Sequence, residues 1–181
     1  MNYALFQAIN DLAGRWATVD RLMRLAAVDL IFVVFAATAV VVATALRRGR
    51  FRPVVCLAAS CALAFGLAQV LAHASREARP FQSHLVHQLI PHTPGVSMPS
   101  DHATAAFALA FGVLLFLDRR AGVALTAAAV LIGFARVWTG VHYPGDIIAA
   151  AVIAALSTFS VHVTDRGAQE IQRAAGPHAA G

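Results

Sequence analysis

Hydrophobic residues occur in five long stretches, and polar residues are gathered between them. The stretches cover residues 30–46, 53–72, 103–117, 121–138 and 147–163. Each is close to the roughly 20 apolar residues that a helix needs to cross a bilayer. No acidic residue lies at the centre of any of them. The pattern predicts an all-α polytopic membrane bundle of about five spanning helices, of which the third is the shortest.

The first 27 residues have a different pattern, in which apolar side chains recur at helical spacing among charged ones. The apolar positions are Leu5, Ile9, Leu12, Trp16, Val19, Leu22 and Met23. Such alternation predicts an amphipathic helix, or two short ones, lying at the membrane interface. We expect one integral-membrane domain over residues 1–163, followed by a flexible polar tail over residues 164–181.

Composition supports a membrane protein. Of 181 residues, 59% are hydrophobic and 13% are charged, whereas soluble domains average roughly 45–50% and about 25%. A disordered chain and a disulfide-stapled secreted domain are excluded, and an ordinary soluble enzyme is disfavoured. Nucleic-acid binding is also disfavoured, because the chain lacks the combined aromatic and basic face that it requires.

The basic residues indicate how the chain is threaded. The net charge is +5, and all 14 basic residues are arginines. Alternating spans place three arginine-rich segments on one side, which the positive-inside rule assigns to the cytoplasm. These segments contain Arg47, Arg48, Arg50 and Arg52, then Arg119 and Arg120, then Arg166 and Arg173. The N-terminal segment and the connections 73–100 and 139–146 then face the opposite side.

The outward connection between the last two stretches carries candidate chemistry. Arg136 ends a span, His142 follows six residues later, and Asp146 lies four residues beyond it. Pro144 favours the start of a helix, which would place Asp146 in its first turn, within reach of His142. A carboxylate on one imidazole nitrogen makes the other a better nucleophile or base. The alternative is a histidine that caps a helix end beside an aspartate favoured by the helix dipole.

The segment before the third stretch reads Pro99-Ser100-Asp101-His102. Ser100 is a favourable N-cap residue, and the free N–H groups that follow it can bind an anion. His102 would lie in the same turn, where it could donate a proton. The alternative is a plain cap beside a solvated histidine.

Arg79-Pro80, in the long outward connection, could bind two phosphate oxygens through its guanidinium group. His84, His87 and His92 in the same connection raise a metal site as an alternative. Their spacing suits neither a zinc finger nor a helical pair, and no cysteine or acidic residue supplements them.

Together the three segments resemble the type-2 phosphatidic acid phosphatase superfamily. The superfamily motifs are Lys-x6-Arg-Pro, Pro-Ser-Gly-His and Ser-Arg-x5-His-x3-Asp. The order and spacing of the segments around Arg79, Ser100 and His142 match these motifs. The amphipathic N-terminus, the small size and the acidic residue in the second motif are most similar to undecaprenyl pyrophosphate phosphatases of the bacitracin-resistance type.

The resemblance implies a role for each matching residue. His142 would be the nucleophile that forms a phosphohistidine, Asp146 would orient it, and His102 would protonate the leaving oxygen. Phosphate oxygens would be bound by Arg79, Ser100, Arg136 and the backbone at Asp101. The superfamily usually needs no metal, so neither a cofactor nor a metal is expected.

The sequence departs from the motifs at three positions. The lysine of the first motif falls at Ala72, and Arg76 is the replacement that keeps a permanent positive charge; His73 is the other candidate. Asp101 stands where glycine is common, and an acidic residue there should repel phosphate unless it is paired or turned away. Ala135 replaces the usual serine.

The resemblance therefore implies a bacterial inner-membrane enzyme with a lipid pyrophosphate as its substrate and its active site facing the periplasm. The first alternative is the same chemistry on phosphatidate, phosphatidylglycerol phosphate or another prenyl phosphate. The second is a membrane protein without enzyme activity, whose site has decayed.

Overall fold

The computed structural model describes residues 2–175, and nearly all of them are helical. The helices are α1 (Asn2–Asn10), α2 (Ala17–Val28), α3 (Leu30–Arg47), α4 (Phe51–Ala74), α5 (Pro80–Ser83), α6 (Asp101–Gly112), α7 (Arg119–Trp138) and α8 (Pro144–Ala175). Within this described part of the chain there is no strand, and one isolated antiparallel bridge joins Ala78 to Val96. The all-α prediction is confirmed.

Four helices, α3, α4, α7 and α8, are long and apolar enough to cross a membrane. The remaining predicted span, the third and shortest, is the apolar segment Asp101–Leu117, in which α6 continues as a π-helical turn, Val113–Leu117. Its start at Asp101 supplies the residues that the apolar stretch alone lacked.

The last helix is longer than its apolar stretch. α8 continues to Ala175, so the helix does not end where the hydrophobic pattern ends, at residue 163. An ion pair of 2.7 Å joins Arg52 Nε to Asp165 Oδ1 and ties the extension to α4. The flexibility of the predicted tail stays a prediction, and residues 176–181 lie outside the described residues.

The centre of the bundle is α6, which contacts α3, α4, α7 and α8. Half of its residues are small and buried: Ala103, Ala105, Ala106, Ala108, Ala110 and Gly112. A helix that is apolar on all sides is a buried helix, and small side chains let its neighbours approach closely. The first turn of α6 is therefore surrounded by the ends of other helices.

The arginine-rich segments meet at one end of the bundle. Arg50 donates hydrogen bonds to the carbonyl oxygens of Phe116 and Leu117, at 3.2 and 3.3 Å, and Arg52 binds Asp165. The three arginine-rich segments are thus adjacent, as alternate threading requires. The side of the membrane on which they lie stays a prediction.

The N-terminal segment forms two short helices, the second of the two predicted arrangements. The chain turns between α1 and α2 at Gly14, whose φ of +84° favours glycine. The Gly14 N–H donates to Asp20 Oδ2 at 3.0 Å, which closes the turn. α1 packs against α7 and α8, and α2 packs against α7 and α3. Asn10 and Asp20 bind Trp138, at the end of α7 opposite its arginine-rich first turn.

A glycine in α7 provides a test of this packing. A Cβ atom on Gly122 would meet the backbone of Leu114 in the π-helical turn, whereas one on Gly66 in α4 would meet nothing. We expect Gly122→Ala to destabilise the protein by about 1–3 kcal/mol, the usual cost of overpacking. Gly66→Ala should leave stability unchanged or raise it by up to about 1 kcal/mol, because alanine favours helix. Thermal unfolding in detergent compares the two variants, and equal midpoints would contradict the packing of α7 on this turn.

Candidate active site

Three parts of the chain meet at the end of the bundle that holds α1 and α2. They are the loop 75–100, the first turn of α6, and the connection 139–143 between α7 and α8. The polar residues brought there are largely buried: His142 is 1% exposed, Arg136 3%, and both Ser100 and Asp146 0%. Buried polar side chains are costly unless they are paired, so their contacts define the site.

His142 and Asp146 form the pair expected from their spacing. Pro144 begins α8, which places Asp146 in the first turn. Asp146 Oδ2 lies 3.1 Å from His142 Nδ1 and accepts a hydrogen bond of 2.8 Å from the Tyr143 N–H. It also accepts a short hydrogen bond from the Ser97 hydroxyl. With the carboxylate as acceptor, the proton of His142 resides on Nδ1 and Nε2 carries the lone pair.

Arg79 covers that lone pair. Its Nη1 lies 2.9 Å from His142 Nε2 and 3.5 Å from His92 Nε2. The Arg79 backbone N–H donates to Gln82 Oε1 at 3.1 Å, at the start of α5. The adjacent bridge between Ala78 and Val96 joins the two arms of the loop. Local backbone contacts therefore place this guanidinium against the imidazole.

The surroundings of His142 keep it neutral. Burial lowers the pKa of His142 well below its ordinary value, and the charges of Arg136 and Arg79 lower it further. Burial is also the main cause that lowers the pKa of His92. A neutral imidazole whose Nε2 lone pair is retained below pH 6.5 suits a nucleophile.

Several buried polar atoms around this pair have no hydrogen-bond partner in the described part of the chain. They are Arg79 Nε, Arg136 Nε, Ser100 Oγ and Asp146 Oδ1. Such atoms are rare in native proteins, and the first three can all donate to an anion. Ser100 occupies the N-cap position of α6, as predicted, but its side chain forms no capping hydrogen bond. Its hydroxyl therefore remains available to a ligand.

The other predicted site residues, His102, Asp101 and Arg76, differ in burial and form fewer contacts. His102 lies in the first turn of α6 and is half-buried. Asp101 is exposed, and within residues 2–175 it forms no ion pair shorter than 4.0 Å. Arg76 is exposed and takes part in none of the site's described side-chain hydrogen bonds. The replacement of the motif lysine by Arg76 therefore stays a prediction.

Two site residues escaped the sequence analysis. Ser97 is completely buried and binds Asp146, and its proximity to the second motif was the available signal. His92 faces His142 edge to face, with ring centroids 5.9 Å apart; the sequence suggested it only as a metal ligand. His84 instead stacks on Tyr3, with centroids 3.9 Å apart. Across the described residues, no three His, Cys, Asp or Glu side chains are grouped as a metal site.

The chain is similar to known membrane phosphatases. The sequence profile of the PAP2 superfamily matches residues 53–169. The bacitracin transport permease protein BcrC of Bacillus licheniformis is 30% identical over 171 residues, which cover 91% of this chain and 80% of that protein. The undecaprenyl-diphosphatase BcrC of Bacillus subtilis is 45% identical over 83 residues. The latter match spans 46% of this chain and less than half, 42%, of the relative.

The fold is also found among solved structures. The crystal structure of Aquifex aeolicus LpxE superimposes with a TM-score of 0.71 at 24% identity. The superposition covers 88% of this chain and 93% of that one. This likeness confirms the helical architecture.

The contact between Arg79 and His142 makes a prediction about the pKa of His142. Arg79→Gln removes a positive charge that opposes protonation of the imidazole, so the pKa of His142 should rise. Arg76→Gln also removes an arginine charge, but from an exposed side chain outside these hydrogen bonds, and should cause a much smaller change. Titration of the imidazole nitrogens by NMR measures both variants, and an equal response would contradict the contact.

Proposed function

The chain belongs to the PAP2 superfamily, and we propose that this membrane lipid phosphatase hydrolyses undecaprenyl pyrophosphate to undecaprenyl phosphate and inorganic phosphate. One observation supports the chemistry: His142 Nε2 lies 2.9 Å from Arg79 Nη1 while His142 Nδ1 lies 3.1 Å from Asp146 Oδ2, which favours the proton on Nδ1 and the lone pair on Nε2. This is the arrangement of an oriented nucleophile next to a charge that can bind the group it attacks.

The proposed reaction has two steps. His142 Nε2 attacks the terminal phosphorus, a nitrogen–phosphorus bond forms, and the bond to the bridging oxygen breaks while His102 gives that oxygen a proton. Water then attacks the phosphohistidine, His102 recovers a proton from it, and the nitrogen–phosphorus bond breaks to release inorganic phosphate. Asp146 stabilises the charge that develops on His142 in the first step.

Positive charge and N–H groups would stabilise the transferred phosphoryl group. Arg79, Arg136 and Ser100 each offer a buried donor atom that has no partner within the described protein. The backbone N–H groups at the start of α6 add the anion preference of a helix N-terminus, and Asp101 is exposed there. Phosphoryl transfer depends mainly on positioning and charge stabilisation, so we propose that the arginines replace a metal ion.

The names of two relatives and the membrane setting support the proposed substrate. One relative is named an undecaprenyl-diphosphatase, and the site lies at the end of apolar helices. The diphosphate would lie at headgroup level while the prenyl chain stays among lipid. We propose that the protein spans the bacterial inner membrane with this site facing the periplasm, where the lipid carrier of cell-wall precursors would be recycled.

Phosphate release from undecaprenyl pyrophosphate by the purified protein in detergent tests this proposal. We expect it to exceed release from phosphatidate and phosphatidylglycerol phosphate, and to persist in EDTA. His142→Ala should abolish phosphate release. Trapping of a labelled phosphohistidine on the unmodified protein, absent from His142→Ala, tests the intermediate separately. Preference for a glycerolipid would overturn the substrate. No release from any lipid would favour a non-enzymatic membrane protein.

Ser100 provides a second test, because its hydroxyl has no partner to lose in the described structure. Ser100→Ala should leave the unfolding temperature unchanged but lower kcat/KM about 10- to 100-fold, the usual value of a hydrogen bond to a charged group. Ser60→Ala is the matched control. Ser60 is a buried serine whose hydroxyl donates to the Cys56 carbonyl within α4, outside the site, so its removal should leave kcat/KM unchanged. Unchanged kcat/KM in Ser100→Ala would exclude this hydroxyl from phosphate binding.

A further inference from the structure

The N-terminal hairpin, which we define as α1 and α2 (residues 2–28), contacts the candidate site from outside the family region. It precedes residues 53–169, which match the superfamily profile. Its most buried polar side chain is Asn10, which is 2% exposed. Asn10 Nδ2 donates to the carbonyl oxygens of Trp138 and His87, at 2.8 and 3.0 Å, and Asn10 Oδ1 accepts from the His87 N–H at 2.9 Å.

These three hydrogen bonds join two parts of the site. Trp138 is the last residue of α7, and its carbonyl oxygen belongs to the last turn, where helices leave acceptors without an intrahelical partner. His87 lies in the loop that also carries Arg79. One buried amide therefore links the start of the connection that carries His142 to the loop that carries the guanidinium.

The hairpin also holds the other end of that connection. Asn2 Oδ1 accepts a hydrogen bond of 2.9 Å from the N–H of Gly145, in the first turn of α8. Asp20 Oδ1 accepts one of the same length from Trp138 Nε1. The connection 139–143 is thus bound by the hairpin immediately before and just after its five residues.

Apolar packing fills the space between these polar contacts. Phe6 is 1% exposed and lies in one buried cluster with Val137 and Tyr143, the neighbour of His142. The Phe6 and Tyr143 rings meet edge to face, with centroids 5.5 Å apart. Removing a contact from the hairpin would therefore loosen the packing around Tyr143, beside His142.

We infer that Asn10 is a positioning residue for His142, and that the N-terminal hairpin is part of the catalytic unit rather than only a membrane anchor. The inference rests on the proposed function of His142 as nucleophile. Asn10 touches neither His142 nor the site's arginines within the described contacts. It acts through the backbone of Trp138 and His87.

The test compares Asn10→Ala with Gln7→Ala, an exposed position on the same helix. Asn10→Ala should lower kcat about 10- to 100-fold, as expected for a small misplacement of a reacting group. The low-pH limb of the kcat/KM profile should also move to higher pH, because water admitted beside His142 relieves the burial that keeps it neutral. The charged and titratable groups facing His142, namely Arg79, His92, Arg136 and Asp146, are unchanged in this variant.

A purely structural role would lower the amount of folded enzyme without moving the low-pH limb. Thermal unfolding and the limb are therefore measured on the same samples. If Asn10→Ala fails to fold, Asn2→Ala is the second variant. It removes only the hydrogen bonds of Asn2 with Gly145 and Glu77, and should show the same shift to a smaller extent. If the low-pH limb of the kcat/KM profile stays at its wild-type position in every folded variant, the inference is overturned.

A failure of the proposed activity can be distinguished from a failure of the positioning role of Asn10. If the unmodified protein releases no phosphate, the His142 pKa is read directly by imidazole NMR in Asn10→Ala and Gln7→Ala. A pKa that rises in the first variant alone supports the positioning role without any turnover. Equal pKa values in the two variants overturn it.

Discussion

The site depends on one carboxylate oxygen, Asp146 Oδ2. It receives donors from Ser97 in the long loop, from the Tyr143 backbone, and from the His142 ring. These donors come from two separate parts of the chain, and the acceptor belongs to the first turn of α8. The oxygen therefore sets the tautomer of His142 and holds the loop to the helix with the same group. A change at Asp146 would disturb chemistry and packing together.

Such a concentration of polar groups is stable because the helices beneath it pack closely. α6 presents alanines and glycine to its four neighbours, so the ends of α7 and α8 converge around its first turn. Burial strengthens each hydrogen bond and raises the cost of each unpaired atom. The same closeness that orders His142 and Asp146 leaves donors of Arg79, Arg136 and Ser100 without a protein partner in the described residues. The site is thus preorganised for an anion.

The hydrophobic pattern was enough to predict the spanning helices, because lipid imposes a length and a polarity on every span. The pair His142 and Asp146 was predictable for a similar reason, since both lie in one short segment before and inside a helix. The contacts of Ser97, His92 and Asn10 were not predictable, because they join residues far apart in sequence. The end of α8 was also missed: its last turns are polar, so hydrophobicity carries no signal for their helical structure.

Arg79 connects the state of the free protein to the chemistry proposed for it. Its Nη1 donates to the lone pair that would attack phosphorus, so the nucleophile is covered until another acceptor draws the guanidinium away. A phosphate oxygen is a stronger acceptor for a guanidinium than a neutral imidazole is, because the pair is charge-assisted. Binding of the anion would then both neutralise Arg79 and release Nε2. One of the residues whose charge opposes protonation of His142 in the free protein is therefore the one that a bound phosphate would displace.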